Sequence, residues 1–390
     1  MKITYLVLNA YVLGGTIRTV FNQANALVAR GHEVEIGSMH RRKDDTVFPL
    51  DDRVRLVPIV DVRPEVPRGP YDLADEDTSW HGHFPAGVSG DEESRRRVSG
   101  LINYLREPRE GVLVSTRPTI NLVVERYADP ALVRVIQEHS HLSAHKGEWR
   151  EAIDRAYPSF DALVTLTEDD HAAYTEAFGD SLRIGRIPNA LHSLDVPRSD
   201  QSRKIVVAAG RLDKNKGFHL LVEAFEKVIE RHPDWTLRII GDGPEEKRLR
   251  AMVLKRHLYN HVYVMGPSDR LDQELAKASI FAMSSRSEGF GMVLLEALNC
   301  GLSVVSFDCP VGPREILTNE VDGLLVPTGD VTALAEGIAR LIEDEPLRQK
   351  LRTAGLETAA GYGPEPIVDQ WERLFTDLLA VKARASGVAE

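Results

Sequence analysis

Short apolar runs alternate with helical patterns along almost the whole chain, and no other feature limits its fold so tightly. Residues 3–8 form an apolar run that ends in a glycine turn, Gly14-Gly15. Ile17, Val20, Phe21, Ala24, Leu27 and Val28 then recur at helical spacing, and Gly31 stands where a helix C-terminal cap belongs. Further strand-like runs lie at 34–36, 54–59, 112–116, 133–137 and 162–166. Apolar strands separated by amphipathic helices require a parallel sheet covered on both faces. The predicted fold class is therefore α/β.

The rhythm breaks twice. Residues 61–97 hold Pro64, Pro67, Pro70 and Pro85, the acidic run Asp75-Glu76-Asp77 and the basic run Arg95-Arg96-Arg97. They read as a long surface loop or lid. Ile187-Pro188-Asn189 and the polar stretch 195–204 read as a linker. After it the rhythm restarts, with strands at 205–209, 237–240, 262–265, 280–283, 304–307 and 324–326. Helices are predicted at 220–231, 332–343 and 346–360. A last helix, 366–382, carries Ile367, Trp371, Leu374 and Leu378 on one face, after the break at Tyr362-Gly363-Pro364. At 390 residues the chain suits two such units. The predicted domains are 1–196, joined by the helix at 365–384, and 197–364. A cleft between two such units is a usual ligand site.

Composition narrows the function. Asp and Glu outnumber Lys and Arg by 59 to 48, a formal charge of −11, so a general nucleic-acid binder is not expected. Two cysteines, Cys300 and Cys309, exclude a disulfide scaffold and a multi-cysteine zinc site. His81-Gly82-His83 lacks a third ligand at an evident spacing, and no metal site is predicted. The first residues read as a strand rather than a leader. The expected location is the cytoplasm, at the inner face of the membrane, with no membrane-spanning helix.

Three stretches of the second half carry chemistry. The run 205–209 opens into Gly210-Arg211-Leu212-Asp213-Lys214-Asn215-Lys216-Gly217. Arg211 and Lys216 thus follow the carboxyl end of a strand, where open α/β sheets bind ligands, and both suit phosphate oxygens. The alternative is a solvated loop. Gly241-Asp242-Gly243-Pro244 ends the next strand. It is not a dinucleotide fingerprint, yet its place permits contact with a nucleotide. In Ser287-Glu288-Gly289-Phe290-Gly291-Met292-Val293-Leu294-Leu295-Glu296, two glycines precede a helix and two glutamates stand eight positions apart. Glycines admit a ligand to the backbone, and a helix N-terminus favours an anion. Glu288 would accept hydrogen bonds from sugar hydroxyls. Glu296, surrounded by apolar side chains, needs a partner such as a ribose hydroxyl.

Glu288 and Glu296 form the E-x7-E motif, and the chain here resembles the retaining GT-B nucleotide-sugar glycosyltransferases of family 4. Gly210-Arg211-Leu212 with Lys216-Gly217, Gly241-Asp242-Gly243-Pro244 and Asp322-Gly323-Leu324-Leu325-Val326-Pro327 match other blocks of that family. Phe307-Asp308-Cys309-Pro310-Val311-Gly312-Pro313-Arg314-Glu315 resembles a branch that contains bacterial cell-surface polysaccharide and teichoic-acid α-glycosyltransferases. In the first half the resemblance is thinner, resting on Gly14-Gly15, Gln137-Glu138-His139-Ser140 and Ile187-Pro188-Asn189. It implies the GT-B fold, two Rossmann-like domains facing each other across a cleft. It also implies transfer of a hexosyl unit with retention, from a UDP-sugar to a hydroxyl of a glycan, teichoic-acid-like polymer or lipid-linked acceptor. No cofactor is obligatory in such enzymes, and a weak peripheral membrane contact would suit such an acceptor.

The resemblance also assigns roles. Arg211 and Lys216 would bind the donor diphosphate, Glu288 the sugar hydroxyls, and Glu296 the ribose. Gly241, Gly243 and the Phe290 and Gly291 amides would line the donor. Gly15 would approach the phosphate from the other domain, and His139 would be the active-site histidine. The family's paired glycines before the last glutamate are replaced by Gly312-Pro313-Arg314-Glu315, where proline removes an N–H donor. Two other readings are a metal-dependent GT-A transferase using Asp75 and Asp77, and a non-catalytic GT-B partner or scaffold protein. Arg95-Arg96-Arg97 would either attract an anionic acceptor or belong to a solvated helix start behind Asp91-Glu92-Glu93.

Overall fold

A computed structural model describes residues 1–12, 14–64, 66–72, 84–85, 90–191 and 196–385. The chain divides into two compact units, one of residues 1–190 with the segment from 364 onward, the other of residues 191–363. Asp75, Asp77, His81 and His83 lie outside the described residues. Among the described residues no helix is long and apolar enough to cross a membrane.

In the first unit, β1 (Lys2–Val7) runs into α1 (Gly15–Ala29), followed by β2 (Glu33–Ser38) and β3 (Arg55–Pro58). Next come α2 (Glu92–Leu105), β4 (Val112–Ser115), α3 (Pro118–Tyr127), β5 (Val133–Gln137), α4 (Glu148–Ala156), β6 (Ala162–Thr165), α5 (Glu168–Phe178) and β7 (Ile184–Arg186). The strands form a parallel sheet ordered β3-β2-β1-β4-β5-β6-β7. Alternation along β1 feeds two cores. Ile3, Tyr5 and Val7 enter the core shared with Val20, Phe21 and Ala24 of α1, whereas Leu6 enters the one shared with Val98 and Leu101 of α2. The last helix, α13 (Pro364–Ala385), closes the first of these cores with Ile367, Trp371 and Phe375.

Helix α2 differs from the expected loop at 61–97. Asp91 accepts a hydrogen bond from the Ser94 N–H, Glu92 and Glu93 fill the first turn, and Val98, Leu101, Ile102 and Leu105 are buried. The cap and the apolar stripe outweigh the prolines that precede them.

The second unit repeats the plan: β8 (Ile205–Ala209), α6 (Phe218–Arg231), β9 (Thr236–Ile240), α7 (Glu246–Lys255), β10 (Val262–Gly266), α8 (Leu271–Ala276) and β11 (Ile280–Met283). It continues through α9 (Met292–Asn299), β12 (Ser303–Phe307), α10 (Pro313–Ile316), β13 (Leu324–Val326), α11 (Val331–Glu343) and α12 (Glu345–Ala360). Its parallel sheet is ordered β10-β9-β8-β11-β12-β13. β8 is buried throughout, as a central strand covered on both faces must be. The connections run outward in one direction from β8 to β10 and in the other from β11 to β13. The order therefore reverses between β8 and β11, and the loops leaving those strands flank the crevice at which such sheets bind ligands.

Candidate active site

The two loops at the reversal point of the second unit are tied together. Asp213 folds the first, its carboxylate accepting from the Asn215 and Lys216 N–H groups at 2.9 and 3.1 Å. The Asn215 side chain donates to the Ser287 carbonyl at 2.7 Å, the Arg286 N–H to the Asn215 carbonyl at 2.8 Å, and the Ser284 hydroxyl to the Lys216 carbonyl at 2.9 Å. This lacing sends the Lys216 side chain back toward the strand ends. Its Nζ donates to both Glu288 oxygens at 2.7 Å. Glu288 is 8% exposed. Lys216 and Glu288 are thus brought together, whereas Arg211, on the same loop, is exposed.

Gly241 sits where only glycine fits. Its φ is +145°, and a Cβ there would stand 1.9 Å from the Gly210 carbonyl oxygen. The loops after β8 and β9 are zipped at this point: the Leu212 N–H donates to the Asp242 carbonyl at 2.7 Å, and the Glu245 N–H to Leu212 at 2.8 Å. Gly243, in the same turn, packs its Cα against the Leu212 backbone. Gly210, Lys216, Gly241 and Gly243 therefore belong to one tight layer above β8 and β9.

Gly291 precedes α9 in the left-handed region, φ +94°. Phe290 is buried and packs edge-on against Tyr362, ring centroids 6.0 Å apart. The Tyr362 hydroxyl donates to the Glu315 carbonyl at 3.0 Å. Glu296 is 7% exposed, on the helix between Leu294, Leu295, Ala297 and Leu298. Burial, and then the Glu296 charge, push the Cys300 thiol up to about 12. Burial likewise raises Cys309 to about 12, with the Glu288 charge adding to it, so neither cysteine is a thiolate nucleophile. In the loop after β12, Val311 has φ +58°, costly for a β-branched residue. Gly312 follows, within 3 Å of the Phe290 carbonyl and the Glu288 Cβ by the position a Cβ would take. Arg314 is held by Asp308, Nε to Oδ1 3.0 Å. No sequence signal marked Val311 as strained.

His139 and Gly15 belong to the first unit. Gly15 is the first residue of α1, exposed, with open space where a side chain would project. His139 follows β5. Burial, reinforced by the Arg117 charge, drives its imidazole down to about 3, so the ring is neutral at neutral pH. Its Nε2 is buried without a hydrogen-bond partner. Sequence reasoning passed over Glu138 beside it, 3% exposed and pushed up to about 7 by burial. It also passed over His141, whose Nδ1 lies 2.8 Å from Asp170. The three arginines of α2 do not form a free cationic patch. Arg96 is bound by the buried Asp72, Nε to Oδ1 2.8 Å, and Arg97 donates to the Glu93 carbonyl and the Ser94 hydroxyl.

Two parallel-sheet Rossmann-like units, the second with glycine-rich loops at the reversal point, define the GT-B glycosyltransferase fold. Within it, residues 193–358 match the family described as glycosyl transferases group 1. Among curated relatives, an exopolysaccharide phosphotransferase of Streptomyces coelicolor is 34% identical over 100% of this chain and 42% of its own length. A poly(glycerol-phosphate) alpha-glucosyltransferase of Bacillus subtilis is 25% identical over 72% of this chain and 43% of its own. The chain thus spans less than half the length of these two relatives. Among solved structures, a mutant of S. aureus TarM in complex with fondaparinux, alpha-GlcNAc-glycerol and UDP aligns with a TM-score of 0.78. That alignment covers 96% of this chain and 99% of that one at 16% identity.

Proposed function

We propose that the protein is a retaining glycosyltransferase that moves a hexosyl unit from a nucleotide sugar, a UDP-sugar, to a hydroxyl acceptor in cell-surface glycan synthesis. The observation that carries this reading is the Lys216–Glu288 pair at the carboxyl ends of β8 and β11. A cation for phosphate and a carboxylate for sugar hydroxyls stand side by side, as a sugar diphosphate needs. Arg211 adds a second, exposed cation, Gly291 opens the N-terminus of α9, and Glu296 would take the ribose. The match of residues 193–358 to the group 1 glycosyl transferase family supports the class of reaction, and the UDP in the TarM complex supports the base.

In this reading residues 191–363 hold the donor and the first unit takes the acceptor, a glycan, glycerol-phosphate-like polymer or lipid-linked sugar. As the bond from C1 to the phosphate oxygen breaks, negative charge grows on the leaving diphosphate. Lys216, Arg211 and the α9 amides stabilise it. One such preorganised donor is worth about 3–4 kcal/mol. The diphosphate leaves from the face that the acceptor attacks and takes the acceptor's proton, so no second carboxylate is required as nucleophile. No metal enters this scheme.

The test is UDP release and product analysis with UDP-glucose and UDP-GlcNAc, with and without EDTA. A product that gains a sugar but no phosphorus, at a rate EDTA leaves unchanged, is expected. Loss of turnover in EDTA would favour the metal-dependent reading. A phosphorylated product would favour a phosphotransferase, and UDP release from neither donor would favour a non-catalytic partner.

A further inference from the structure

We infer that Glu138 is a positioning residue, which fixes the backbone that carries His139 through a buried chain of hydrogen bonds from Asn121. The inference rests on the reading of His139 as an active-site group.

The chain of contacts is continuous. On α3, the Asn121 side-chain amide donates to the Tyr157 hydroxyl at 2.9 Å. That hydroxyl, just beyond α4, donates to Glu138 Oε2 at 2.9 Å. Glu138 Oε1 accepts from the main-chain N–H groups of His139 and Ser140, at 3.1 and 3.3 Å. Glu138 is itself anchored, its N–H donating to the Val164 carbonyl of β6 at 2.9 Å. One carboxylate therefore satisfies both amides of the turn that leaves β5, while three elements hold it from behind. Asn121 and Tyr157 are fully buried.

A buried carboxylate is a costly way to hold a turn. Desolvation opposes its charge, and an apolar side chain at the same place would pack without that cost. What an apolar side chain cannot do is accept two amides and a hydroxyl at once. Losing the acceptor would free the 139–140 turn and let the imidazole swing out of its desolvated place. The groups facing this network are Tyr157, Tyr174, whose own ionisation burial and Glu138 oppose, and Arg117 beside the imidazole.

The measurement is the His139 ring titration by nitrogen-15 histidine spectra of the full chain, its signals assigned by their loss in His139→Gln. In the native protein and in Glu138→Gln, which keeps an acceptor oxygen, the ring should stay neutral well below pH 6. In Glu138→Ala it should titrate near the ordinary histidine value of about 6.5. Tyr157→Phe, which removes the anchor and keeps the packing, should move it partway, and it carries the test should Glu138→Ala not fold. A His139 titration unchanged in Glu138→Ala and Tyr157→Phe, with both variants unfolding cooperatively, would overturn the inference. Full transfer activity in His139→Ala would instead overturn the catalytic reading of His139 and leave the positioning result standing.

Discussion

Lys216 and Glu288 stand 72 positions apart in the chain and meet because their strands are neighbours at the centre of one sheet. Their contributions should be unequal. The Glu288 side chain is 7% exposed and the Lys216 side chain 23%, so removing the lysine takes its cation from the more deeply buried of the two charges. Lys216→Ala should therefore lower the unfolding temperature more than Glu288→Ala, while both suppress transfer. In the proposed donor site its kcat/KM should fall about 10²-fold or more, because that role makes Lys216 a charged donor to the leaving phosphate. Scanning calorimetry and steady-state UDP release check the two halves, and an unchanged kcat/KM would place Lys216 outside the donor site. The spacing of Glu288 and Glu296 and the glycines before α9 are legible in the sequence, because local geometry imposes them. The lysine that Glu288 binds is not, nor is the tie from Glu138 to Tyr157 and Asn121. Those partners come from other elements, and no spacing announces them.

At the scale of elements, the sequence rhythm marks strands and helices because each must bury an apolar face. Where it misled, at 61–97, prolines and an acidic run masked a helix start whose signals were present: Asp91 as cap, then Val98, Leu101, Ile102 and Leu105 at helical spacing. The stripe on α13 shows only that the helix needs a surface; the family resemblance assigned that surface to the first unit, and the structure agrees. It finds Ile3, Tyr5 and Phe21 rather than the helices just before it. Trp371 is fully buried there and packs at a tilt against Phe375, ring centroids 5.4 Å apart. Trp371→Ala should cost about 3–5 kcal/mol, read by urea unfolding of the whole chain. A loss below ~1 kcal/mol would mean that α13 is held by its exposed ion pairs, among them Arg183 with Asp377, instead of by this core.

For the whole molecule, pH dependence follows from groups buried against their ordinary ionisation. His139 and His40 are driven down to about 3 and about 4, by burial first and then by nearby arginines. In the unfolded chain both would take protons near about pH 6.5. As pH falls from there, the unfolded state binds protons that the folded state refuses, and stability is lost. Glu138, raised to about 7, acts in the opposite sense: its contribution is present at low pH and lost as pH rises through 7. Two groups outweigh one, so the unfolding temperature should drop between pH 7.5 and pH 5, and His139→Gln should flatten that drop. A variant with the native slope would contradict the assignment.

The central claim is that residues 191–363 bind the diphosphate of a nucleotide sugar through Lys216 and Arg211, and thermal unfolding in the presence of UDP-, GDP- and ADP-glucose tests it most directly. Ligand at a hundred times its Kd adds roughly 2.7 kcal/mol to the stability of a protein that binds it when folded. UDP-glucose should raise the unfolding temperature of the native chain, GDP- and ADP-glucose should do so less, and Arg211→Ala/Lys216→Ala should lose the shift. No shift with any of the three, or an equal shift in the double variant, would contradict the account.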